Sequence, residues 1–257
     1  MANMLDTIYA MWLREIKRYL KSKSRVIGSG GQPLIWLAIF GVGFSAAVVV
    51  KGVSSYLTFM APGIMAMTIL FTSIFAGINV IWDKQFGFLK EILVAPVSRL
   101  GIVMGKIAGS TTTAMINAIF ILIVVVIFGV IPLGGLTALG VVEALFFMAA
   151  VSFVFVAIGL IIGSTINNVE GFQVIVNFLV LPLFFLSGAL FPINSSAPEW
   201  MQVISAIDPL SYAVDGIRGA LIGYHTHSLI IDAAGTLISA IIFILIAQEC
   251  FKKMQAK

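Results

Sequence analysis

The sequence predicts an all-α membrane protein with six transmembrane helices. Hydrophobic residues make up 60% of the 257 residues and charged residues only 10%, whereas about 25% of the residues of a soluble protein are charged. The apolar residues form long runs, and a run of about 20 residues lets a helix cross the hydrocarbon core. Lys and Arg cluster beside these runs, where the membrane surface favours positive charge. We therefore expect a single membrane domain over residues 1–257.

Residues 1–27 predict an amphipathic helix that precedes the first span. Apolar residues recur at helical spacing between Met4 and Ser24, and the basic residues fall largely on the other face. Such a helix suits the plane of the lipid headgroups, and packing against a partner protein is a compatible alternative. The string from Gly28 to Pro33 predicts the end of this helix. The basic residues that fall largely on this other face are Arg14, Lys17, Arg18, Lys21 and Arg25.

Six apolar segments follow as the predicted spans, with polar or Gly/Pro-rich breaks between them. They cover residues 33–50, 56–82, 102–130, 138–162, 172–191 and 228–247. Pro182 predicts a kink in the fifth span. Residues 192–227 predict two short re-entrant helices between spans five and six. The first of these helices has an apolar face that includes Trp200 and Ile207, and Asp208-Pro209 separates it from the second.

The distribution of Lys and Arg predicts the orientation of these spans. With six spans, every Lys and Arg except Lys51 and Arg218 falls on one side of the membrane. Because positive charge is retained in the cytoplasm, that side and both termini are predicted to be cytoplasmic.

The chain lacks the residue patterns of catalysis and of cofactor binding. It contains no Gly-rich ATP-binding loop, and its formal charge of +4 is not that of a nucleic-acid-binding protein. His225 and His227 could share a metal ion, but the sequence offers no obvious third ligand, so two solvated histidines are expected. We predict no catalytic residue, no metal and no cofactor on this chain, and transport rather than chemistry.

Polar residues inside the predicted spans are few. Glu143 either reaches the interface or pairs with a cation such as Arg218, and Asp232 suits the first turn of span six. Ser110, Thr113 and Asn117 share one face of span three, which either lines a polar path or packs against another helix. Phe184 and Phe185, beside Pro182, are candidates for lining an apolar path. So few charges disfavour an ion-coupled carrier.

Two polar stretches carry most of the remaining information. On the cytoplasmic side, residues 83–100 contain a short amphipathic helix that ends at Pro96 and suits insertion into a groove of a partner; an ordinary loop is the alternative. On the outer side, LSGALFPIN begins at Leu186 and DPLSYAVDGIRGALIG begins at Asp208. Asp215 and Arg218 lie three residues apart on a helix and are predicted to neutralise each other.

These stretches resemble the ABC-2 family of ABC-transporter permeases, in the branch of nodulation-factor and daunorubicin-type exporters. The resemblance spans the whole chain and rests on motifs in order. They are Leu93, Pro96, Val97, Ser98 and Arg99; then Ser187, Gly188, Phe191 and Pro192; then Pro209, Leu210, Ser211, Tyr212 and Arg218. Asp208 stands where many relatives carry Asn, and we expect it to serve as a helix cap.

The resemblance implies a homodimeric permease in a prokaryotic plasma membrane that works with separate P-loop ATPase subunits. Those subunits would bind ATP and Mg²⁺, and the cargo would be amphipathic, lipid-like, glycolipid or drug-like. An ATPase-independent channel or carrier, or a membrane scaffold, is the alternative. The implied ATPase contact on a coupling helix comprises Lys84, Phe88, Lys90, Glu91, Pro96 and Arg99. The implied connecting helix includes Trp12, Arg14, Lys17 and Arg18, and the implied outer gate includes Phe191, Pro192, Trp200, Pro209, Tyr212, Asp215 and Arg218.

Overall fold

The computed structural model describes residues 4–88, 98–193 and 197–253, without the side chains of residues 24–27. Every regular element in these ranges is helical, which confirms the predicted all-α fold. Within the described ranges, five helical segments are long and apolar enough to cross a membrane: Tyr56–Gln85, Arg99–Ile127, Ala138–Thr165, Val169–Leu186 and Leu229–Lys253.

The N-terminal region forms two helices. α1 covers Met4–Lys21 and α2 covers Lys23–Trp36, which continues as a π-helical segment over Leu37–Val42. The predicted break at Gly28–Pro33 is wrong, because α2 runs through it and the chain bends at Ser22 instead. The predicted first span, residues 33–50, is not among the five long apolar segments, since the π-helical segment ends at Val42 and turns follow.

The central helices match their predicted spans within a few residues. α3 covers Tyr56–Ile74 and α4 covers Ala76–Gln85, and together they form one long segment with an irregularity at Phe75. α5 covers Arg99–Ile127 and α6 covers Ala138–Thr165. Ser55, Ser98 and Thr137 each cap the following helix by accepting a hydrogen bond from a backbone amide in its first turn.

The fifth predicted span is one helical segment that changes its hydrogen-bond pattern just before Pro182, and the kink stays a prediction. α7 covers Val169–Ile175, a π-helical segment covers Val176–Val180, and α8 covers Leu181–Leu186. Pro182 lies in the first turn of α8, where a missing backbone N–H is tolerated. The widened turn immediately before it accommodates the change in hydrogen-bond pattern.

Two short helices precede the last span, as predicted. α9 covers Glu199–Ile207 and α10 covers Pro209–Ile222, and α11 covers Leu229–Lys253. Asp208 caps α10 by accepting a hydrogen bond from the Leu210 amide at 2.9 Å, which confirms its expected role. α9 has no buried residue and exposes Trp200, Val203 and Ile207, whereas one face of α10 is buried.

α6 is the central helix of the bundle and contacts α3, α4, α5, α10 and α11. Small residues allow its closest approach to the second span: a Cβ on Gly163 would lie 2.3 Å from the Gly77 carbonyl oxygen. Close backbone contact of this kind is typical of helix pairs in membranes. α11 and the α7–α8 segment are mostly exposed, so they form the periphery of the single chain.

Candidate functional site

A buried ionic cluster joins the N-terminal helix to the bundle where α4 ends and α5 begins. The Asp83 carboxylate, 3% exposed, accepts hydrogen bonds from Arg14 of α1 at 2.7 and 3.2 Å and from Lys106 of α5 at 2.6 Å. Glu15 lies 3.6 Å from the Lys106 ammonium, and Arg18 lies 3.6 Å from Asp83. We call Arg14, Glu15, Arg18, Asp83 and Lys106 the Asp83 cluster.

Burial makes the Asp83 cluster highly sensitive to the loss of any member. Lys106 is 1% exposed and Glu15 is 5% exposed, so both charges depend on partners within the protein. A buried charge that loses its counter-charge costs several kcal/mol, about 3–5 kcal/mol in measured cases. The cluster therefore fixes the position of α1 relative to α4 and α5.

The helix that supplies Arg14 and Glu15 lies in a glycine groove. Gly101, Gly105 and Gly109 recur every four residues along α5, and they face Thr7, Met11 and Glu15 of α1, which recur at the same spacing. Without side chains on α5, the two backbones approach closely enough to seat the cluster. The buried stripe of α1 thus carries a carboxylate, and Leu5, Tyr9 and Leu20 stay exposed.

A second polar layer extends from this groove towards the middle of the bundle. The Asn117 side-chain oxygen accepts hydrogen bonds from the Tyr19 hydroxyl at 2.5 Å and from the Ser29 hydroxyl at 3.0 Å. The Asn117 amide nitrogen donates to the Thr72 hydroxyl at 3.3 Å. Asn117 therefore ties α1, α2 and α3 to α5, whereas Ser110 and Thr113 of the same predicted polar face line a cavity. A path along this face stays a prediction.

A cavity of about 270 Å³ opens between α1, α2, the α3–α4 segment and α5. Its wall combines polar side chains, among them Glu15, Tyr19 and Asn79, with the aromatic rings of Phe71, Phe75 and Trp82. The Asn79 amide nitrogen donates to Glu15 at 3.1 Å. Among the described residues, the Asn79 oxygen and one Glu15 oxygen have no hydrogen-bond donor. The cavity can therefore offer hydrogen-bond acceptors beside an aromatic surface.

Both sides of the stretch between α4 and α5 are fixed to other helices. The Lys84 ammonium donates to the carbonyls of Ser164 at 2.5 Å and Ile166 at 3.1 Å, at the end of α6. The Arg99 guanidinium donates to the carbonyls of Phe251 and Lys252, at the end of α11. Cations at helix C-termini satisfy orphan carbonyls there. Displacement of this stretch would therefore act on α1, α5, α6 and α11 together.

At the opposite end of the bundle, Arg218 of α10 is buried against α3 and a turn after α8. Its guanidinium lies 3.8 Å from the centre of the Phe59 ring. It donates to the carbonyls of Phe59 at 3.2 Å, Gly188 at 3.0 Å and Ala189 at 3.3 Å. Burial lowers the pKa of Arg218 to about 10, against the opposing effect of Asp215, so the side chain stays charged at neutral pH.

The turn that Arg218 holds contains the Ser-Gly pair that precedes Phe191-Pro192. Gly188 has a φ of +75°, a conformation that favours glycine, and the Tyr56 hydroxyl donates to the Leu190 carbonyl at 3.0 Å. Two sequence motifs that are distant along the chain, LSGALFP and the one ending in Arg218, therefore form one buried contact.

Comparison with known proteins decides the family. The family model described as ABC-2 type transporter matches residues 6–222. This chain belongs to the ABC-2 type transporter family. The resemblance inferred from the motifs is thereby confirmed.

Its relatives are named as transport proteins. A putative transport permease ycf38 of Cyanophora paradoxa is 33% identical over 247 residues, which cover 87% of this chain and 80% of the relative. A nodulation protein J of Rhizobium leguminosarum bv. viciae is 27% identical over 219 residues, 83% and 82% of the two chains. The daunorubicin resistance ABC transporter permease protein DrrB1 of Streptomyces coeruleorubidus is 27% identical over 195 residues, 74% and 66%.

In this ABC-2 family member, the positions predicted for ATPase contact divide into two groups. Lys90, Glu91 and Pro96 lie outside the described residues. Lys84 and Arg99 cap helices as described above, and Phe88 lies under the Arg14 guanidinium at 3.8 Å. Their contact with an ATPase stays a prediction.

The positions predicted for the connecting helix are partly buried. The Trp12 indole donates to the Thr112 hydroxyl at 3.1 Å, and Arg14 and Arg18 belong to the Asp83 cluster. Lys17 is exposed. The helix thus turns two of its basic residues towards the bundle, although the sequence pattern suggested that the basic face would point away from apolar surroundings.

The positions predicted for the outer gate are brought together only in part. The Phe191 ring stacks on the Tyr56 ring, with 6.3 Å between the ring centres. The Tyr212 hydroxyl donates to the Ala206 carbonyl at 2.7 Å. Trp200, on α9, is 58% exposed, and Pro192 and Pro209 are half-buried. Asp215 and Arg218 form no salt bridge: Asp215 accepts hydrogen bonds from the amides of Thr226 and His227, although its charge still favours the charged form of Arg218.

The remaining predicted positions lie in the core or at its edge. Phe184 is fully buried and packs against Phe71, 6.4 Å between ring centres, while its neighbour Phe185 is 41% exposed. Glu143 is half-buried, and the groups that Arg218 contacts are the carbonyls named above rather than Glu143.

Sequence reasoning missed Glu15, Asn79, Asp83 and Lys106 as a buried set. Lys106 was counted among the cytoplasmic surface charges, and Asp83 only marked the start of a polar stretch. The glycine spacing of Gly101, Gly105 and Gly109 was the available signal, since three glycines four residues apart on a membrane helix predict a close helix partner. An acidic residue on the buried stripe of α1 was the second signal.

Proposed function

We propose that this chain is the membrane-spanning permease subunit of an ATP-driven exporter. It would act as a dimer with separate ATPase subunits, which bind ATP and Mg²⁺, and carry an amphipathic, lipid-like, glycolipid or drug-like substrate. Membership of the ABC-2 family supports this proposal, as do relatives named for nodulation and for daunorubicin resistance. The Asp83 cluster is the observation that carries it.

The cluster offers a mechanical link between the stretch at residues 83–100 and the helices around the cavity. An ATPase that pushed on this stretch would move Asp83 and Lys84 at one side and Arg99 at the other. Asp83 is bonded to α1 and α5, Lys84 to the end of α6, and Arg99 to the end of α11. Because ionic and hydrogen bonds at these points resist separation, the helices would shift together rather than slide past one another.

The proposed substrate class rests on the wall of the cavity. Hydrogen-bonding groups such as Glu15, Tyr19 and Asn79 lie beside Phe71 and Trp82, an arrangement that suits a molecule with a polar and an apolar part. Ligand sites in proteins typically enclose about 300–1,000 Å³. The cavity of about 270 Å³ would therefore hold one part of a large amphipath, such as a headgroup.

The proposed dimer rests on exposed apolar residues at the periphery of the chain. Ile35 and Ile39 of the α2 region and Phe178 of the fifth segment are 59%, 63% and 82% exposed. These residues would face lipid or a second copy. A translocation path between two copies would use these segments, with the outer helices after Pro192 as a gate.

The function is tested first by purification from native membranes in mild detergent. We expect a P-loop ATPase to co-purify in a fixed ratio, its hydrolysis rate to rise in the presence of the permease, and transport in liposomes to require both proteins and ATP. Glu91→Ala should abolish transport while the permease stays folded, and Glu249→Ala, at the exposed end of α11, is the matched control.

Two results would contradict the proposal. Transport or conduction by the purified chain alone would instead indicate a channel or secondary carrier. A chain with no ATPase partner and no transport would indicate a scaffold.

If transport requires the ATPase, the substrate is identified by measuring export in the reconstituted system. Candidate lipids, lipid-linked oligosaccharides, polyketide-like drugs and peptides are tested one at a time.

The proposed placement in a prokaryotic plasma membrane, with both termini cytoplasmic, is tested by thiol labelling. Cys250 is the single cysteine, so Cys250→Ser provides a background without thiols. A membrane-impermeant maleimide should label Ser228→Cys in intact cells. It should label Lys253→Cys only after the cells are permeabilised. Both positions are exposed. The reverse labelling pattern would show that both termini lie outside the cell and that the predicted orientation is wrong.

A further inference from the structure

Three side chains from three different elements meet at the end of the bundle opposite the Asp83 cluster. They are Asp215 of α10, His227 of the loop before α11, and Asp232 in the first turn of α11. One ligand atom from each lies within 4.8 Å of the other two. The His227 Nδ1 atom is 3.4 Å from Asp215 Oδ2 and 3.8 Å from Asp232 Oδ1.

Of these three side chains, Asp232 is a buried carboxylate that lacks hydrogen-bond donors in the part of the chain that the structure describes. Its side chain is 0% exposed, and neither of its carboxylate oxygens has a hydrogen-bond donor among the described residues. A buried carboxylate without donors is costly unless a cation or a proton compensates it. A second carboxylate, Asp215, lies beside it and adds repulsion when both are charged.

Asp215 is held in place for such a role. Its two oxygens accept hydrogen bonds from the Thr226 amide at 2.8 and 2.7 Å, and Oδ2 also accepts one from the His227 amide at 2.7 Å. These bonds orient the carboxylate as outer partners orient metal ligands in known sites. An ionised carboxylate has about four lone-pair sites, and two of them, both on Oδ2, are occupied by the Thr226 and His227 amides. Oδ1 accepts a single hydrogen bond, so the capacity for a metal bond is on Oδ1.

The donor set and the spacing fit zinc. Zn²⁺ binds imidazole nitrogen and carboxylate oxygen at about 2.0–2.2 Å in a tetrahedral arrangement, which places two ligand atoms about 3.3–3.6 Å apart. The two distances from His227 Nδ1 are close to this range. Asp215 and Asp232 offer ligand atoms within 4.8 Å of each other, so the third pair needs a contraction of at most about 1.5 Å. His227 is half exposed, which leaves a path for the ion and a fourth position for water.

We propose that Asp215, His227 and Asp232 bind one Zn²⁺ ion. The ion neutralises the buried carboxylates and joins α10 to the first turn of α11 through the loop between them. Because Arg218, one turn along α10, holds the turn at residues 187–190, the zinc site fixes the outer end of α11 to the same assembly. This proposal is independent of the function proposed above.

The test uses the full chain in detergent, purified with an affinity tag that contains no histidine and stripped with a chelator. Zn²⁺ is titrated by calorimetry, Co²⁺ is added to record the visible absorption of a tetrahedral site, and thermal unfolding is followed with and without Zn²⁺. We expect one Zn²⁺ per chain, the tetrahedral Co²⁺ spectrum, and a higher unfolding temperature with Zn²⁺. His227→Gln and Asp232→Asn should each weaken Zn²⁺ binding at least tenfold.

His225→Gln is the matched control, because His225 is also an exposed histidine of the same loop, and it should bind Zn²⁺ like the wild type. The titration of the wild type tests Zn²⁺ binding directly, even if a variant does not fold. Absence of Zn²⁺ binding by the wild type, binding of Ca²⁺ or Mg²⁺ in preference to Zn²⁺, or equal loss in His225→Gln and His227→Gln would each overturn it.

Discussion

Gly105 of α5 lies so close to Met11 of α1 that a Cβ on Gly105 would be 2.5 Å from the Met11 Cβ. The Ile8 carbonyl oxygen would be 2.8 Å away, so the helix backbone itself leaves no space. The same helix pair brings Arg14 and Glu15 to Asp83 and Lys106. The glycine groove and the ionic cluster therefore depend on each other, since a wider gap between α1 and α5 would lengthen the contact of Glu15 with Lys106 and draw Arg14 away from Asp83.

Substitution of Gly105 by Ala should separate α1 from α5. Overpacking of a tight contact costs about 1–3 kcal/mol, and we expect a lower unfolding temperature in detergent and faster proteolysis within α1. Gly31→Ala in α2 is the control, because a Cβ there meets nothing within 4 Å, and Ala in a helix is favoured over Gly by about 0.5–1 kcal/mol. Equal stability of the two variants would contradict the close contact.

Substitution of Asp83 by Asn should destabilise the protein more than any surface charge change. It removes the nearer of the two carboxylates beside the buried Lys106 and leaves only Glu15 at 3.6 Å; loss of a buried partner costs up to about 3–5 kcal/mol, and we expect a marked fall in unfolding temperature and in permease activity. Adding Lys106→Met should recover part of the loss, because the uncompensated charge is then gone. Glu249→Gln, which breaks an exposed pair with Lys252, should change stability by less than about 0.5 kcal/mol.

Asp208→Asn should make the protein more stable at neutral and alkaline pH. Burial raises the pKa of Asp208 to about 7, against the opposing hydrogen bond from the Leu210 amide. Its contribution to stability is therefore full below the unfolded pKa of about 4 and is lost as the pH rises through about 7. Asn caps a helix as well as Asp does and does not titrate.

The stability difference between Asp208→Asn and the wild type should therefore widen between about pH 4 and pH 7 and then level off, at no more than about 4 kcal/mol. Unfolding temperatures measured across this range provide the check. A difference that does not change with pH would show that Asp208 is not buried as an acid in the folded protein.

Arg218→Lys should be disruptive although it keeps the charge. A single ammonium cannot reproduce a planar group that stacks on the Phe59 ring and bonds three carbonyls, and each buried carbonyl left without a donor costs about 1–3 kcal/mol. We expect a lower unfolding temperature and loss of transport. Lys51→Arg, at an exposed position on the same side, should leave both unchanged, and wild-type stability of Arg218→Lys would refute the structural role.

The sequence determined the parts of this protein that depend on local pattern. Long apolar runs predicted the helices from Tyr56 onwards, Asp208-Pro209 separated α9 from α10, and Pro182 marked the change of helix type in the fifth segment. The motifs around Pro96, Ser187 and Arg218 identified the family. Each of these signals is read from neighbours in the chain, because hydrophobic runs, caps and prolines act within one or two helical turns.

The tertiary structure decided which polar groups meet. Glu15, Asp83 and Lys106 come from three different helices. Asp215, His227 and Asp232 come from two helices and the loop between them. The i, i+3 spacing of Asp215 and Arg218 pointed to a pair, yet burial gave each a stronger set of partners elsewhere. A buried charge is stabilised by the donors or acceptors that packing places beside it, and these come from distant parts of the sequence. In the same way, the glycines of α5 indicate a close helix partner, but only the packed structure shows that this partner is α1.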